Sequence, residues 1–185
     1  MASVLVPLAQ GCEELEAVTV VDLLRRAGIG VVTAGLDDQP VCASRGMVLI
    51  PDKTLDDVIG QEFDMIVLPG GQPGATNLGK DGRVTGLLQQ MARAGKYTAA
   101  ICAAPGVLAQ SGLLEARRAT SYPGTLAPDS VPGLTCVDAP VVIDGPVITS
   151  RGPGTAMDFA LQLIEVLAGK RKRDEVESGL QRTQP

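Results

Sequence analysis

Thr98-Ala-Ala-Ile-Cys102-Ala-Ala-Pro-Gly106 is the stretch whose reading decides the fold. Residues 98–101 form a buried strand that runs straight into Cys102, and Pro105 near the first turn marks a helix start. Ala100, Ala103 and Ala104 keep the surroundings small, as a tight strand-to-helix elbow requires when it presents a nucleophile on top of a sheet. A helix N-terminus favours a thiolate, so the expectation is a lowered Cys102 pKa. The other reading is a buried core cysteine, since free Cys is among the most buried residue types.

Working outward, residues 4–8 and 65–68 are continuous apolar runs, and residues 30–36 form a further strand. Glu13, Glu14 and Glu16 open a helix whose stripe is Ala17, Val20, Val21 and Leu24, with Gly28 as its stop. In the plain reading these acids complement the helix dipole. Residues 41–50 read as a hairpin around Ser44-Arg45-Gly46, and residues 54–59 as a short helix. Asp81 caps a helix carrying Val84, Leu87, Leu88 and Met91. Residues 141–143 and 147–149 flank an Asp144-Gly145 turn. The final apolar helix spans residues 155–167, with Thr155 and Asp158 close to a capping box. Lys170 to Arg173 then reads as a solvated, dipole-compatible end of that helix. Strands that alternate with helices and are apolar throughout indicate an α/β sandwich with a mainly parallel sheet covered on both faces. One domain over residues 1–169 is expected, followed by a charged, partly helical tail over 170–185.

Composition narrows the function. The 185 residues are 45% hydrophobic and 20% charged, a globular balance. Aromatics make up 2%, too few for base-stacking platforms, and the net charge of −5 opposes general affinity for nucleic acid or anionic membranes. With His 0, a Cys-His or Ser-His dyad and a His-bound metal are impossible within the chain. Any general base is Asp, Glu, Lys, Tyr or a thiolate. Cys12, Cys42, Cys102 and Cys136 form no CxxC pair, so no metal site is expected. The sequence shows neither a signal peptide nor a membrane span, and cytoplasmic free thiols are expected.

Ala-Ala-Ile-Cys102-Ala-Ala-Pro, Val-Leu-Pro-Gly-Gly71, Glu13-Glu-Leu-Glu16-Ala-Val and Thr-Ser-Arg151-Gly-Pro-Gly-Thr stand in one order that resembles the ThiJ/PfpI superfamily. Val21-Asp-Leu-Leu-Arg-Arg26-Ala-Gly-Ile and Cys42-Ala-Ser-Arg45-Gly are similar to its parkinsonism-associated deglycase branch, which has bacterial YajL-like members. The resemblance runs from residue 4 to about residue 169. It implies a flavodoxin-like three-layer sandwich, a homodimer and no cofactor. Position by position, Cys102 takes the nucleophile's place and Glu16 that of the carboxyl beside it. Gly71 and Ala103 would supply the oxyanion-binding N–H groups. Arg45 and Arg26 match positions near the dimer-side rim of the site, where they would bind an anion, with structural or interface ion pairs as the plain alternative, and Tyr122 is a further substrate- or anion-binding candidate. Tyr122 stands where many relatives carry His, which excludes a Cys-His pair there.

These residues support two uses of one thiolate. The first is a glutathione-independent glyoxalase or deglycase, acting on small α-oxoaldehydes or on glycated protein and nucleotide adducts. The second is an oxidative-stress sensor or chaperone that works through reversible oxidation of Cys102 without turnover. A glutaminase or peptidase reading loses its base with the absent histidine. Cys12, in the loop before Glu16, is a candidate resolving thiol, with a spectator role as the alternative. Cys42 and Cys136 read as spectators.

Overall fold

In the computed structural model, which describes residues 1–182, β1 (Ser3–Leu8) leads into α1 (Glu14–Arg26) and β2 (Gly30–Gly35). A hairpin of β3 (Val41–Cys42) and β4 (Val48–Leu49) follows, then β5 (Lys53–Thr54) and the short α2 (Leu55–Val58). Next come β6 (Met65–Leu68), α3 (Gly74–Lys80), α4 (Gly82–Arg93), β7 (Tyr97–Ile101) and α5 (Pro105–Gln110). The small parallel pair β8 (Arg118–Ala119) and β9 (Thr135–Cys136) precedes the hairpin of β10 (Val141–Asp144) and β11 (Val147–Ser150). The chain closes with α6 (Ala156–Ala168) and α7 (Lys170–Gly179).

The central sheet has seven strands in the order β10-β11-β7-β6-β1-β2-β5. All of its pairs are parallel except β10 with β11. Helix α1 packs on α6, which carries α7, while α3 contacts α4 and α5. With both faces covered, the central strands are apolar runs: Met65, Ile66, Val67 and Leu68 of β6 are all buried. The result is a flavodoxin-like sandwich with a largely aliphatic core, in which Phe159 of α6 is the largest fully buried side chain. The chain builds outward from β1 to β2 and β5, then returns to place β6 on the other side of β1. That reversal opens a crevice at the carboxyl ends of β1 and β6, where α/β folds bind ligands. Among the described residues, no helix is long and apolar enough to cross a membrane.

Two local expectations are corrected, and one helix was not expected at all. Helix α3 has no counterpart in the sequence reading, because Gly74-Ala-Thr-Asn-Leu-Gly-Lys80 lacks both helix propensity and a side-chain cap. It forms through tertiary docking: Gly74 N–H donates to Gly11 C=O at 3.1 Å, against the loop that follows β1. Thr155 and Asp158 form no capping box. The Thr155 hydroxyl is taken by Ser150 Oγ at 2.7 Å and Gly152 C=O at 2.9 Å, and Asp158 pairs with Arg182 at 2.8 Å. The basic run is not the end of α6 but the start of α7, because Gly169 at φ 84° breaks the helix. Cations at a helix start oppose the dipole. Carboxylates one turn on offset this, through Lys170–Asp174 at 2.5 Å, Lys172–Glu175 at 2.7 Å and Arg173–Glu177 at 3.1 Å. Of the expected tail, residues 183–185 lie outside the described residues.

A Cβ added to Gly74 would sit 2.5 Å from the Cys12 backbone. Gly74→Ala is therefore expected to cost about 1–3 kcal/mol, read as a lower urea midpoint. An unchanged midpoint would show that the α3 docking does not depend on this close approach.

Candidate active site

Cys102 sits at the carboxyl end of β7 with φ 65°, a left-handed conformation that a side-chain-bearing residue adopts only under restraint. Its backbone supplies that restraint. The N–H donates to Ser150 C=O at 3.0 Å, and the C=O accepts from Tyr122 N–H at 2.8 Å and Thr125 Oγ1 at 3.3 Å. The elbow points the side chain across the crevice toward α1. Cys102 is only 8% exposed.

Glu16 approaches from the other side. Glu13 is the N-cap of α1 and accepts the Glu16 N–H at 2.9 Å, so the acidic cluster does cap the helix. Glu16, however, does not decorate the dipole. It is 0% exposed, its Oε2 accepts the Gly70 N–H at 2.8 Å, and its Oε1 is buried without a hydrogen-bond partner. Gly70 also accepts the Glu13 N–H at 3.0 Å, so this one glycine ties the loop after β6 to the first turn of α1. It must be glycine, because an added Cβ would lie 2.6 Å from Cys102 Cβ and 2.9 Å from Glu16 Oε2. The same numbers place Gly70 at the seam between the thiol and the carboxyl.

Burial pushes the Glu16 carboxyl up to about 7, although the Gly70 N–H and Cys102 pull it down. Burial, followed by the charge of Glu16, pushes Cys102 up to about 12, against the N–H groups of Gly71 and Ala103, which pull it down. The expected lowering by a helix N-terminus is thus overturned: α5 is only six residues long with no side-chain cap, and desolvation dominates. The two groups titrate as a pair. It gives up its first proton near neutrality and resists the second strongly, because two negative charges would share one dry site.

A cleft of about 380 Å³ opens over Cys102, lined by Glu13, Arg45, Gly71, Ala103, Tyr122 and Thr125 among others. The structure thus brings Cys102, Gly71, Ala103, Arg45 and Tyr122 to one opening, with Glu16 behind the sulfur. The half-exposed Tyr122 ring packs beside Gly152, where an added Cβ would lie 3.3 Å away. Arg26 is not brought to this cleft: it sits in the last turn of α1, paired with Asp22 at 2.7 Å. Cys12 is fully buried, and burial pushes its thiol up to about 11, which opposes a resolving role. Cys42 and Cys136 are exposed. Among the described residues, no group of three or more His, Cys, Asp or Glu side chains is placed to hold a metal. Gly70, Thr125 and Glu14 escaped the sequence reading as site residues. Only the Gly-Gly pair gave any signal, because their roles lie in backbone contacts.

Comparison with known proteins fits this geometry. The DJ-1/PfpI family model matches residues 2–166. The chain belongs to that family. It is 47% identical over 180 residues to the Drosophila melanogaster protein dj-1beta, covering 96% of each. It is 37% identical over 175 residues to the Caenorhabditis elegans glutathione-independent glyoxalase DJR-1.2, covering 95% of this chain and 92% of the relative. The crystal structure of Drosophila DJ-1beta superposes with a TM-score of 0.92 at 44% identity, over 99% of both chains.

A raised folded-state pKa means that the native protein holds the Glu16 proton over a range in which the unfolded chain has lost it. The stabilisation from that proton is complete below about 4.5 and lost as pH rises through about 7. Glu16→Gln removes the titration. Its stability relative to wild type is expected to rise by up to about 3 kcal/mol between pH 4 and 8, measured as paired denaturation midpoints. A pH-independent difference would show that Glu16 is not held protonated.

Proposed function

We propose that this chain is a cysteine-dependent, cofactor-free enzyme that converts small α-oxoaldehydes such as methylglyoxal to hydroxy acids without glutathione. Early glycation adducts on proteins or nucleotides form a second substrate group that enters by the same attack. The observation that carries this reading is the buried Glu16 Oε1, without a hydrogen-bond partner and paired in titration with Cys102. An acid proton there can serve the sulfur first and the substrate next. The relative named as a glutathione-independent glyoxalase supports it. A cleft of about 380 Å³ suits a small ligand.

In the reactive form the Glu16 carboxylate holds the proton it has taken from the thiol, and the single charge resides on Cys102 Sγ, toward which the Gly71 and Ala103 N–H groups are directed. Sγ adds to the aldehyde carbon, and the carbonyl electron pair moves to oxygen, where the same N–H groups hold it. Glu16 gives that oxygen its proton, and a hemithioacetal results. The carboxylate left behind removes the proton on the same carbon and returns it to the neighbouring carbon through an enediol, while the hydroxyl proton passes from the first oxygen to the former ketone oxygen. The former aldehyde carbon becomes a thioester and the former ketone an alcohol, an internal oxidation and reduction without an electron carrier. Water then adds its hydroxyl to the acyl carbon and its proton to Glu16, releasing the hydroxy acid and the thiolate.

The enzyme acts as a homodimer in this account. Leu15 and Val18 on α1 and Met47, Val48 and Ile50 around β4 are exposed apolar side chains. Val18, Val21, Leu49 and Ile50 also line one open hollow of about 310 Å³. A second copy of the same patch would cover them. Four free cysteines fit a reducing compartment such as the cytoplasm.

Lactate formation from methylglyoxal without glutathione is expected to show multiple turnovers for wild type. Cys102→Ser and Glu16→Gln are each expected to lose at least about 100-fold. Absence of turnover with selective peroxide oxidation of Cys102 would replace this reading with the sensor reading. Val18→Asp combined with Ile50→Asp is expected to give monomers by light scattering, and a persistent dimer would reject this face.

A further inference from the structure

The Glu14 carboxylate does nothing for the dipole that Glu13 does not already do, yet it is only 9% exposed. All of its hydrogen bonds go to the turn between β3 and β4. Oε2 accepts from Ser44 Oγ at 3.0 Å, and Oε1 accepts from Arg45 N–H at 2.9 Å and Met47 N–H at 3.5 Å. These bonds hold the Glu14 carboxyl below its ordinary range despite the cost of its desolvation. Ser44 N–H adds a bond to Cys12 C=O at 2.8 Å, in the loop that leads into α1. The turn is thus bound to the same helix start that positions Glu16.

What the turn carries is Arg45. Its backbone is fixed by Glu14, while its guanidinium donates only to Ser44 C=O at 3.3 Å and has no carboxylate partner among the described residues. Arg45 lines the cleft over Cys102. We propose that Glu14 is a positioning residue: by pinning the 44–47 turn it holds the Arg45 charge over the Cys102 sulfur and makes the site select electrophiles that carry a negative charge. This rests on Cys102 as nucleophile but not on the identity of the substrate. A loose turn would have to be ordered each time Arg45 met an anion, and the pinned turn removes that cost. Glu14 touches no reacting atom and acts only through Arg45.

Two alkylating probes of similar size test this: iodoacetate, which is anionic, and iodoacetamide, which is neutral. In both cases the thiolate displaces iodide and forms one S–C bond. Rates are read at Cys102 by peptide mass spectrometry, with exposed Cys136 as internal control. Arg45→Ala is expected to lower the iodoacetate rate about fivefold, the worth of one partly exposed charge pair, and to leave iodoacetamide within about twofold. Glu14→Ala is expected to do the same. Glu14→Gln, which keeps an acceptor for the Arg45 N–H, is expected to recover part of the loss. Glu14→Ala with Arg45→Ala together should be no worse than Arg45→Ala alone. The proposal is overturned if Glu14→Ala slows both probes equally, leaves their ratio unchanged, or adds to Arg45→Ala. Loss of methylglyoxal turnover in wild type would leave these rates as informative as before, so the two readings fail separately.

Discussion

Everything at this site follows from placing two acidic groups in one nearly dry space and supplying for them less than two charges' worth of stabilisation. Desolvation raises both Glu16 and Cys102, and the charge of Glu16 raises Cys102 further. The donors provided are few: Gly70 N–H on one carboxyl oxygen, and the N–H groups of Gly71 and Ala103 toward the sulfur. Such a site carries one negative charge at neutral pH and a mobile proton beside it. A histidine would ordinarily supply that proton, and this chain has none.

The scaffold explains why the pair can form at all. The elbow after β7 brings the sulfur up from the sheet, and the first turn of α1 brings the carboxyl down toward it. The loop after β6 lies between them and must be thin. Gly70 meets that demand with its Cβ position, and Gly71 at φ 86° meets it with its backbone, since a side chain there would meet Glu13 N at 2.4 Å. Gly11, Gly74 and the Cys12 backbone close the same seam from the side of α3. Rigidity here has a chemical purpose: a shared proton moves only if the donor and acceptor stay in register.

Apart from β5, which was read into the short helix that follows it, the sheet was legible in the sequence because its strands are largely apolar runs, and because α1, α4 and α6 keep helical spacing. Helix α3 was not, since it is held by a glycine contact and not by periodicity. The break at Gly169 was hidden by the charged run that continues past it. Cys102 could be named from its elbow between strand and helix, whereas Glu16, Arg45 and Tyr122 could be named only through the family resemblance. The separate jobs of three adjacent glutamates could not. Glu13 caps, Glu14 clamps a turn and Glu16 faces the sulfur, and only the direction of each side chain distinguishes them. The sign of the Cys102 shift was also hidden, because burial in the folded crevice outweighs the short helix that follows it.

The central claim is that Glu16 and Cys102 ionise as one pair, so that the Glu16 charge sets the pH at which the Cys102 thiolate forms. The most direct measurement is the ultraviolet thiolate absorbance of wild type minus that of Cys102→Ser as a function of pH. The account predicts that the wild-type thiolate midpoint lies above that of Glu16→Gln, measured against its own Cys102→Ser control, because the Glu16 charge raises it. An unchanged midpoint in Glu16→Gln would contradict it, for then Cys102 would titrate independently of the carboxyl.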